Sequence, residues 1–300
     1  MSSGSAPSPA ALARLRQACN GLDVGICAGI DPSPATCALL TGHGTAHDLH
    51  RSNHATTARA DMMRSVGLAI VEGAAEGGAA AVKPQMAWFE QAGAAGLDAL
   101  AQVTEAAHAH GLYVVLDGKR GDIPHSAAAY AAAYLGSDAA SGIRGDALTA
   151  HAWAGEDALH AMCSVAHERD SIIYVVLLMS NPGAAQLSDL VDTTGTPVWT
   201  HVARWISSCG AGAVVGATRP ELAIAAGAML PDTPLLIPGV GAQGGTLAPL
   251  APLIRSRAAP ALITASRSLL PPEPQPAAAL TASVASHVAE LRTITLDAAS

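Results

Sequence analysis

Asp117, Lys119 and Asp122 stand two and three residues apart in LDGKRGDI (116–123), directly after the apolar run Val114-Val115-Leu116. Acid, ammonium and acid in alternation keep a lysine protonated through neighbouring charge, and such a lysine is poised to donate a proton. A Schiff-base lysine asks for the opposite surroundings, apolar ones that lower its pKa. At a strand end, residues two apart point to one face, so Asp117 and Lys119 share a face, while Asp122 opens the following loop or helix. The same charges also suit a salt-bridge cluster that closes a rim, and both readings stand at this point.

A census of cations favours the first. The chain holds 14 arginines and only two lysines, Lys83 and Lys119. Arginine serves wherever a generic surface cation is wanted, yet it cannot release a proton near neutral pH, whereas lysine can. Both lysines fall where apolar runs end, beside or opposite carboxylates. That placement points to proton handling.

A second cluster lies near the carboxyl end of the chain. IPGVGAQGG (237–245) contains Gly239-x-Gly241-x-x-Gly244, the letters of a dinucleotide fingerprint. The context fails that reading. No Asp or Glu occurs between Asp232 and Glu273 to hold a ribose, and the unit is the seventh rather than the first. A phosphate monoester fits better, cradled by backbone N–H groups around Gly241, the Gln243 amide and Arg267 of TASRS. A glycine-rich turn beside a surface arginine is the plainer alternative.

Other groups carry less. His43, His47, His50 and His54 are spaced as one helical face; they are read as a polar surface excursion ahead of a metal site. His151, at a strand end, is either ligand-facing or packed and neutral. Cys163 and Cys209 sit in helical segments and read as core. Five cysteines without a Cys-x-x-Cys pair suggest reduced thiols and a cytoplasmic protein. The start MSSGSAPSPAALARLRQ has no apolar segment of signal-peptide type, and the longest apolar run, IIYVVLLM (172–179), falls far short of the roughly 20 residues a membrane helix needs. A net charge of −8, with no basic tract, argues against a nucleic-acid surface.

The elements that must position these residues follow from hydrophobic pattern. Continuous apolar runs near 24–30, 79–83, 112–117, 146–150, 172–179, 212–216, 234–238 and 260–265 suit strands buried on both faces, as in parallel sheets. Alanine-rich helical segments alternate with them near 56–76, 92–109, 125–136, 155–168, 196–209, 219–229, 246–257 and 277–292. Eight such repeats predict an α/β fold, a single (β/α)8 TIM barrel; a doubly wound open sheet is the competitor. Residues 1–19 read as an N-terminal tail, disordered over 1–9, with a leading helix. The barrel spans 20–292, and 293–300 form a C-terminal tail. The barrel demands that chemistry gather at the carboxyl ends of the strands. Asp31, Lys83, Asp117, Lys119, Thr149, His151, Ser180 and Arg267 all stand there, as does the glycine loop.

Taken in order, AGIDPSP (28–34), AVKPQMAWFE (81–90), LDGKRGDI, DALTAHAWAG (146–155), MSNPGA (179–184), VVGATRPE (214–221), IPGVGAQGG and TASRS resemble the orotidine 5′-phosphate decarboxylases, and more closely their longer-chain bacterial (type 2) subgroup. The resemblance runs from about residue 20 to 268. It implies a homodimeric barrel that decarboxylates orotidine 5′-monophosphate to uridine 5′-monophosphate without cofactor or metal. Lys83, Asp117, Lys119 and Asp122 would form a charged tetrad, with Asp122 reaching the partner's site and Lys119 protonating C6. Asp31 and Lys83 would hold ribose hydroxyls, Ser180 the pyrimidine, and Gln243 with Arg267 the phosphate. Ser126 stands where the family commonly has threonine and keeps the hydroxyl for a ribose contact across the dimer; His151 also departs from the family's pattern. Three rivals are a magnesium-dependent sugar-phosphate lyase, in which the superfamily has a glutamate ligand where Lys83 stands, a non-catalytic phosphate-ligand sensor, and a structural protein with a charged rim.

Overall fold

Runs of Val, Ile, Leu and Ala that are apolar on both faces cannot leave either face in water, and here they pair as a closed, all-parallel barrel. The computed structural model describes residues 6–40, 53–241, 244–255 and 257–299. The strands are β1 (Val24–Ile30), β2 (Ala81–Pro84), β3 (Tyr113–Arg120), β4 (Ala147–Ala150), β5 (Ile172–Leu178), β6 (Gly212–Val215), β7 (Leu235–Ile237) and β8 (Ala261–Ala265). Closure comes from β8 returning to β1, with Val24 opposite Ala261 and Ala28 opposite Ala265.

Helix α1 (Pro9–Ala18) precedes the barrel. Next come α2 (Pro34–Cys37) and α3 (Asn53–Glu76) after β1, then α4 (Met86–Glu90) and α5 (Gly93–Ala109) after β2. α6 (Pro124–Tyr134) follows β3 and α7 (Glu156–Glu168) follows β4; α8 (Ala185–Ser188) and α9 (Val198–Cys209) follow β5. α10 (Pro220–Met229), α11 (Ala251–Arg255) and α12 (Ala277–Ala299) follow β6, β7 and β8. Among the described residues, no helix is long and apolar enough to cross a membrane.

The two-residue period of the strands sorts side chains into two cores. Ile26, Val82, Val114, Leu116, Leu148, Ile173, Val175, Val215 and Ile263 face outward and pack with the helices. Cys27, Ala81, Tyr113, Val115, Ala147, Tyr174, Val214, Leu236 and Leu262 form the inner cluster, joined by Ala11 and Leu15 of α1. α1 therefore closes the amino-terminal end of the barrel. Ser8 starts it, accepting from the Ala11 N–H at 3.1 Å and donating to Asp170 at 2.9 Å. At the other end of the barrel the inner face turns polar, and there the candidate residues gather.

Several boundaries differ from the sequence reading. Residues 6–9 are ordered, with Pro9 opening α1, so the leading segment belongs to the barrel's base. α12 runs to Ala299 rather than stopping at 292, because buried Leu280, Val284 and Val288 are continued by partly buried Leu291 and buried Thr295 at helical spacing. The single helix expected over 246–257 is a 3-10 turn at Ala248–Leu250 followed by the short α11; Pro249 and Pro252 remove backbone donors that a longer helix needs. β3 continues to Arg120, three residues beyond the expected end at 117, so Asp117 and Lys119 both lie within the strand and Asp122 in the loop after it.

Candidate active site

Lys83 on β2 and Asp117 and Lys119 on β3 extend the inner face of their strands beyond the apolar cluster. Asp117 is 5 % exposed and stands at the centre of the group. Its Oδ2 accepts from Lys83 Nζ at 2.7 Å and from Gln85 Nε2 at 3.1 Å. Its Oδ1 accepts from Lys119 Nζ at 2.5 Å and from the Thr149 hydroxyl at 2.9 Å. Thr149, at the end of β4, also accepts from the Lys119 N–H at 2.9 Å. Both lone-pair regions of the carboxylate are thus occupied by donors on three neighbouring strand ends.

This arrangement fixes the charges. Burial works against ionisation of Asp117, but Lys83 and Lys119 outweigh it and hold the carboxyl well below its ordinary range. Burial likewise opposes charge on Lys83, and Asp117 with Asp31 overcomes it, holding the ammonium above its ordinary value. Lys83 is the more buried, with 8 % of its side chain exposed against 28 % for Lys119, and both line a cavity. The carboxylate is a fixed anion between two ammonium groups that both line the cavity, Lys119 being the more open of the two.

The cavity, about 290 Å³, is lined by Asp31, Lys83, Asp117, Lys119, Thr149, Ser180 and Arg267, seven residues expected from the sequence. Thr149, expected to bind substrate, lines the cavity, and its hydroxyl also donates to Asp117 and accepts from the Lys119 N–H. Gly241 is a correction, since it lies outside the lining, which takes Gly239 and Val240 instead. The N–H groups of Gly241, Gly244 and Gly245 are spent within the loop, on Gly245 O, Gly241 O and Gly239 O. With φ of 99°, 80° and 87° at Gly239, Gly241 and Gly244, the loop folds back on itself, and only glycine takes that backbone without strain. Gln243 lies outside the described residues.

Asp122 and Ser126 do not reach the cavity of their own chain. Asp122 is exposed on the loop before α6, where its Oδ1 accepts from the Ile123 N–H at 2.7 Å, and Ser126 is half-buried on α6. His151 faces a separate apolar cavity of about 200 Å³ with Trp153, Trp199 and Trp205, which answers against a ligand-facing role in the charged site. Burial and then Lys119 push its imidazole below the ordinary value against Asp117. Cys163 and Cys209 are core residues, as expected. His43, His47 and His50 lie outside the described residues, as does the side chain of His54. Among the described residues, no three His, Cys, Asp or Glu side chains gather closely enough to hold a metal ion.

Sequence reasoning missed Gln85, Asn181, Thr264 and Ser266, all in the lining. Gln85 carried a usable signal: it stands two residues beyond Lys83, the spacing that puts Lys119 beyond Asp117 on one face. Chemically, the cavity offers an ammonium beside a permanent anion at one wall and a guanidinium at another, with hydroxyls between. It suits an anionic ligand whose reacting atom lies near Lys119.

Comparison with known proteins agrees with that geometry. Residues 46–282 match the model of the Orotidine 5′-phosphate decarboxylase / HUMPS family. An orotidine 5′-phosphate decarboxylase of Rhodopirellula baltica is 38% identical over 202 residues, 63% of this chain and 67% of the relative. The one from Salinispora arenicola is 35% identical over 262 residues, 84% of this chain and 87% of the relative. The solved structure of Leishmania donovani OMP decarboxylase superposes with a TM-score of 0.71 at 27% identity, covering 96% of this chain and 98% of that one.

Proposed function

The chain belongs to the orotidine 5′-phosphate decarboxylase family, and from that premise we propose that it converts orotidine 5′-monophosphate to uridine 5′-monophosphate with Lys119 as the proton donor. The observation that carries the assignment of roles is the Lys83–Asp117–Lys119 array, in which a buried carboxylate holds two ammonium groups in the cavity wall, Lys83 the more buried and Lys119 the more open.

Loss of the carboxyl group breaks the C6–carboxylate bond with its electron pair left on C6. No neighbouring group of the pyrimidine takes up that pair. An ammonium fixed beside C6 stabilises the developing charge. Carbon dioxide leaves, a proton passes from Lys119 Nζ to C6, and the amine regains a proton from solvent. Asp117 stands against the departing carboxylate. Asp31 and Lys83 hold ribose hydroxyls, Ser180 addresses the pyrimidine, and Arg267 with Gln243 grips the phosphate. The phosphate is remote from C6, yet its binding energy is available to orient the substrate.

The same reading makes the enzyme a homodimer of the longer-chain bacterial type, with Asp122 and Ser126 completing the partner's site. Ile123, Tyr130 and Trp153, exposed by 64 %, 36 % and 68 %, supply apolar surface beside Asp122 for such an interface. Buried free thiols at all five cysteines favour a cytoplasmic setting.

The test is the fall in ultraviolet absorbance of orotidine 5′-monophosphate with purified protein, chelator present throughout. The wild-type protein turns over, and Lys119→Ala loses at least about 10⁴-fold in kcat, because the acid and the charge that stabilises the carbanion vanish together. Near-normal turnover by Lys119→Ala would overturn the mechanism.

A further inference from the structure

The backbone that carries Lys119 is strained. Lys119 has φ of 45°, in the left-handed region that residues with side chains avoid. Pairing of β3 with β4 breaks there too: the register shifts between Leu116 and Arg120 and resumes with Arg120 opposite Ala150. A kink of this kind persists only where its surroundings over-determine it. Two of the restraints are already described inside the barrel, the Thr149 hydroxyl on the Lys119 N–H and the Asp117 carboxylate on its ammonium.

The third restraint lies outside the cavity, on Arg120. Its guanidinium pairs with Glu90 at the end of α4 and lies over the rings of Tyr130 and Tyr134, 5.5 and 5.8 Å from their centroids. Those tyrosines are four apart on α6 and share a face. The same guanidinium donates to the Gly118 carbonyl at 3.4 Å, while the Arg120 carbonyl accepts from the His151 N–H at 2.8 Å. The Gly118–Lys119 peptide and the Arg120–Gly121 peptide, one on each flank of the kink, are therefore tied down. Gly118 fits beneath this clamp because it has no side chain; a Cβ there would stand 2.8 Å from Met86 Sδ and 3.3 Å from Arg120 Nε. The loop bearing Asp122 spans only residues 121–123, from Arg120 to the start of α6, so the clamp also fixes both of its ends.

We propose that Arg120 is a positioning residue: by bolting the kinked end of β3 to α4 and α6, it sets where the Lys119 ammonium stands and where the Asp122 loop projects. This inference rests on the reading of Lys119 as proton donor. Lysine in its place would not serve, since a point charge cannot lie flat on two rings and bridge Glu90 at the same time.

The experiment compares wild-type enzyme with Arg120→Ala, Arg120→Lys and Glu90→Gln for kcat, KM, affinity for uridine 5′-monophosphate and melting temperature, with and without millimolar guanidinium ion. Arg120→Ala is expected to lose about 100-fold in kcat, the cost of a displacement near 1 Å at a reacting group. KM and nucleotide affinity stay within about threefold, the pattern of a group that acts in the transition state only. Guanidinium ion restores part of the lost kcat in Arg120→Ala, whereas Arg120→Lys remains impaired. Glu90→Gln, which keeps the packing, loses about tenfold, and it carries the test should Arg120→Ala fail to fold. Wild-type kcat in the variants overturns the assignment. So does a parallel fall of kcat, nucleotide affinity and melting temperature without recovery in guanidinium, which would make Arg120 a structural tie. Absence of turnover in the wild-type enzyme is a different result and overturns the decarboxylase reading itself.

Discussion

The two walls of the cavity are built on opposite plans. On the β2–β4 side, one buried carboxylate takes four side-chain donors, from Lys83, Gln85, Lys119 and Thr149, and each donor stands on a strand or at its end. On the β7–β8 side, Gly241, Gly244 and Gly245 spend their N–H groups on carbonyls of their own loop, and Arg267 is exposed just beyond β8. The first wall is committed before any substrate arrives. The second holds a cation in reserve for an anion supplied by the ligand. A reaction whose charge develops at one atom needs fixed dipoles there, because reorganising them during the step would add to the barrier. A phosphate far from that atom needs only to be held.

Asp117→Asn attacks the committed wall and is expected to have the largest effect. It leaves Lys83 and Lys119 facing each other without the intervening anion, Lys83 buried and Lys119 partly so. Breaking a buried ion pair from one side costs about 3–5 kcal/mol of stability, and turnover is expected to fall by about 10³-fold or more. Chemical denaturation and single-turnover kinetics on the same preparation check both. If Asp117→Asn were as stable and as active as the wild type, the central carboxylate would be ornamental and the contrast between the walls would fail. Arg267→Ala attacks the reserve wall. It is expected to raise KM by about 10- to 150-fold, the range of a lost charge-assisted hydrogen bond of about 1.5–3 kcal/mol, with little change in melting temperature. A lowered melting temperature would show that Arg267 is built into the fold after all.

The same contrast explains what could be read from the sequence. Strand order, barrel closure and the set Asp31, Lys83, Asp117, Lys119, Ser180 and Arg267 were legible because they depend on local pattern: apolar runs set the strands, and the residue after each run falls at the rim. Thr149 was legible at a strand end, but its bond to Asp117 was not, since the sequence does not show that its hydroxyl turns toward the next strand. Gly241 was misjudged for a related reason. A glycine string announces unusual backbone angles, and whether the resulting N–H groups face a ligand or one another depends on where the loop closes. The kink at Lys119 left no trace in the letters, because its causes, Arg120 against α6 and Thr149 against β3, are tertiary. Even the helix that ends at Ala299 was visible in its spacing and lost only to a boundary drawn too early.

The smallest expected effect, a pH profile, sharpens the comparison most. Asp117 has its pKa depressed below the ordinary 3.8, so its stabilising ion pairs are present above that value and are lost only as pH falls through the depressed one. Lys83 has its pKa raised above the ordinary 10.5, so its contribution is complete below that value and is lost only as pH rises through the raised one. Between about pH 5 and 9 neither group changes charge, and melting temperature and the part of kcat they govern stay flat. The ligand does change, because a phosphate monoester gives up its second proton near pH 6. On the role proposed for Arg267, KM is therefore expected to rise severalfold as pH falls below about 6, where the phosphate dianion becomes a monoanion. In Arg267→Ala that rise should shrink, since the partner that distinguishes the two forms is gone. His151, held below its ordinary 6.5 by burial and by Lys119, is the neighbour able to imitate the effect, and it stands on the apolar cavity beside the committed wall. An inflection in kcat on the acid side of neutrality that survives Arg267→Ala and disappears in His151→Phe would move the titrating group from the ligand's phosphate to the protein, and from the reserve wall to the committed one.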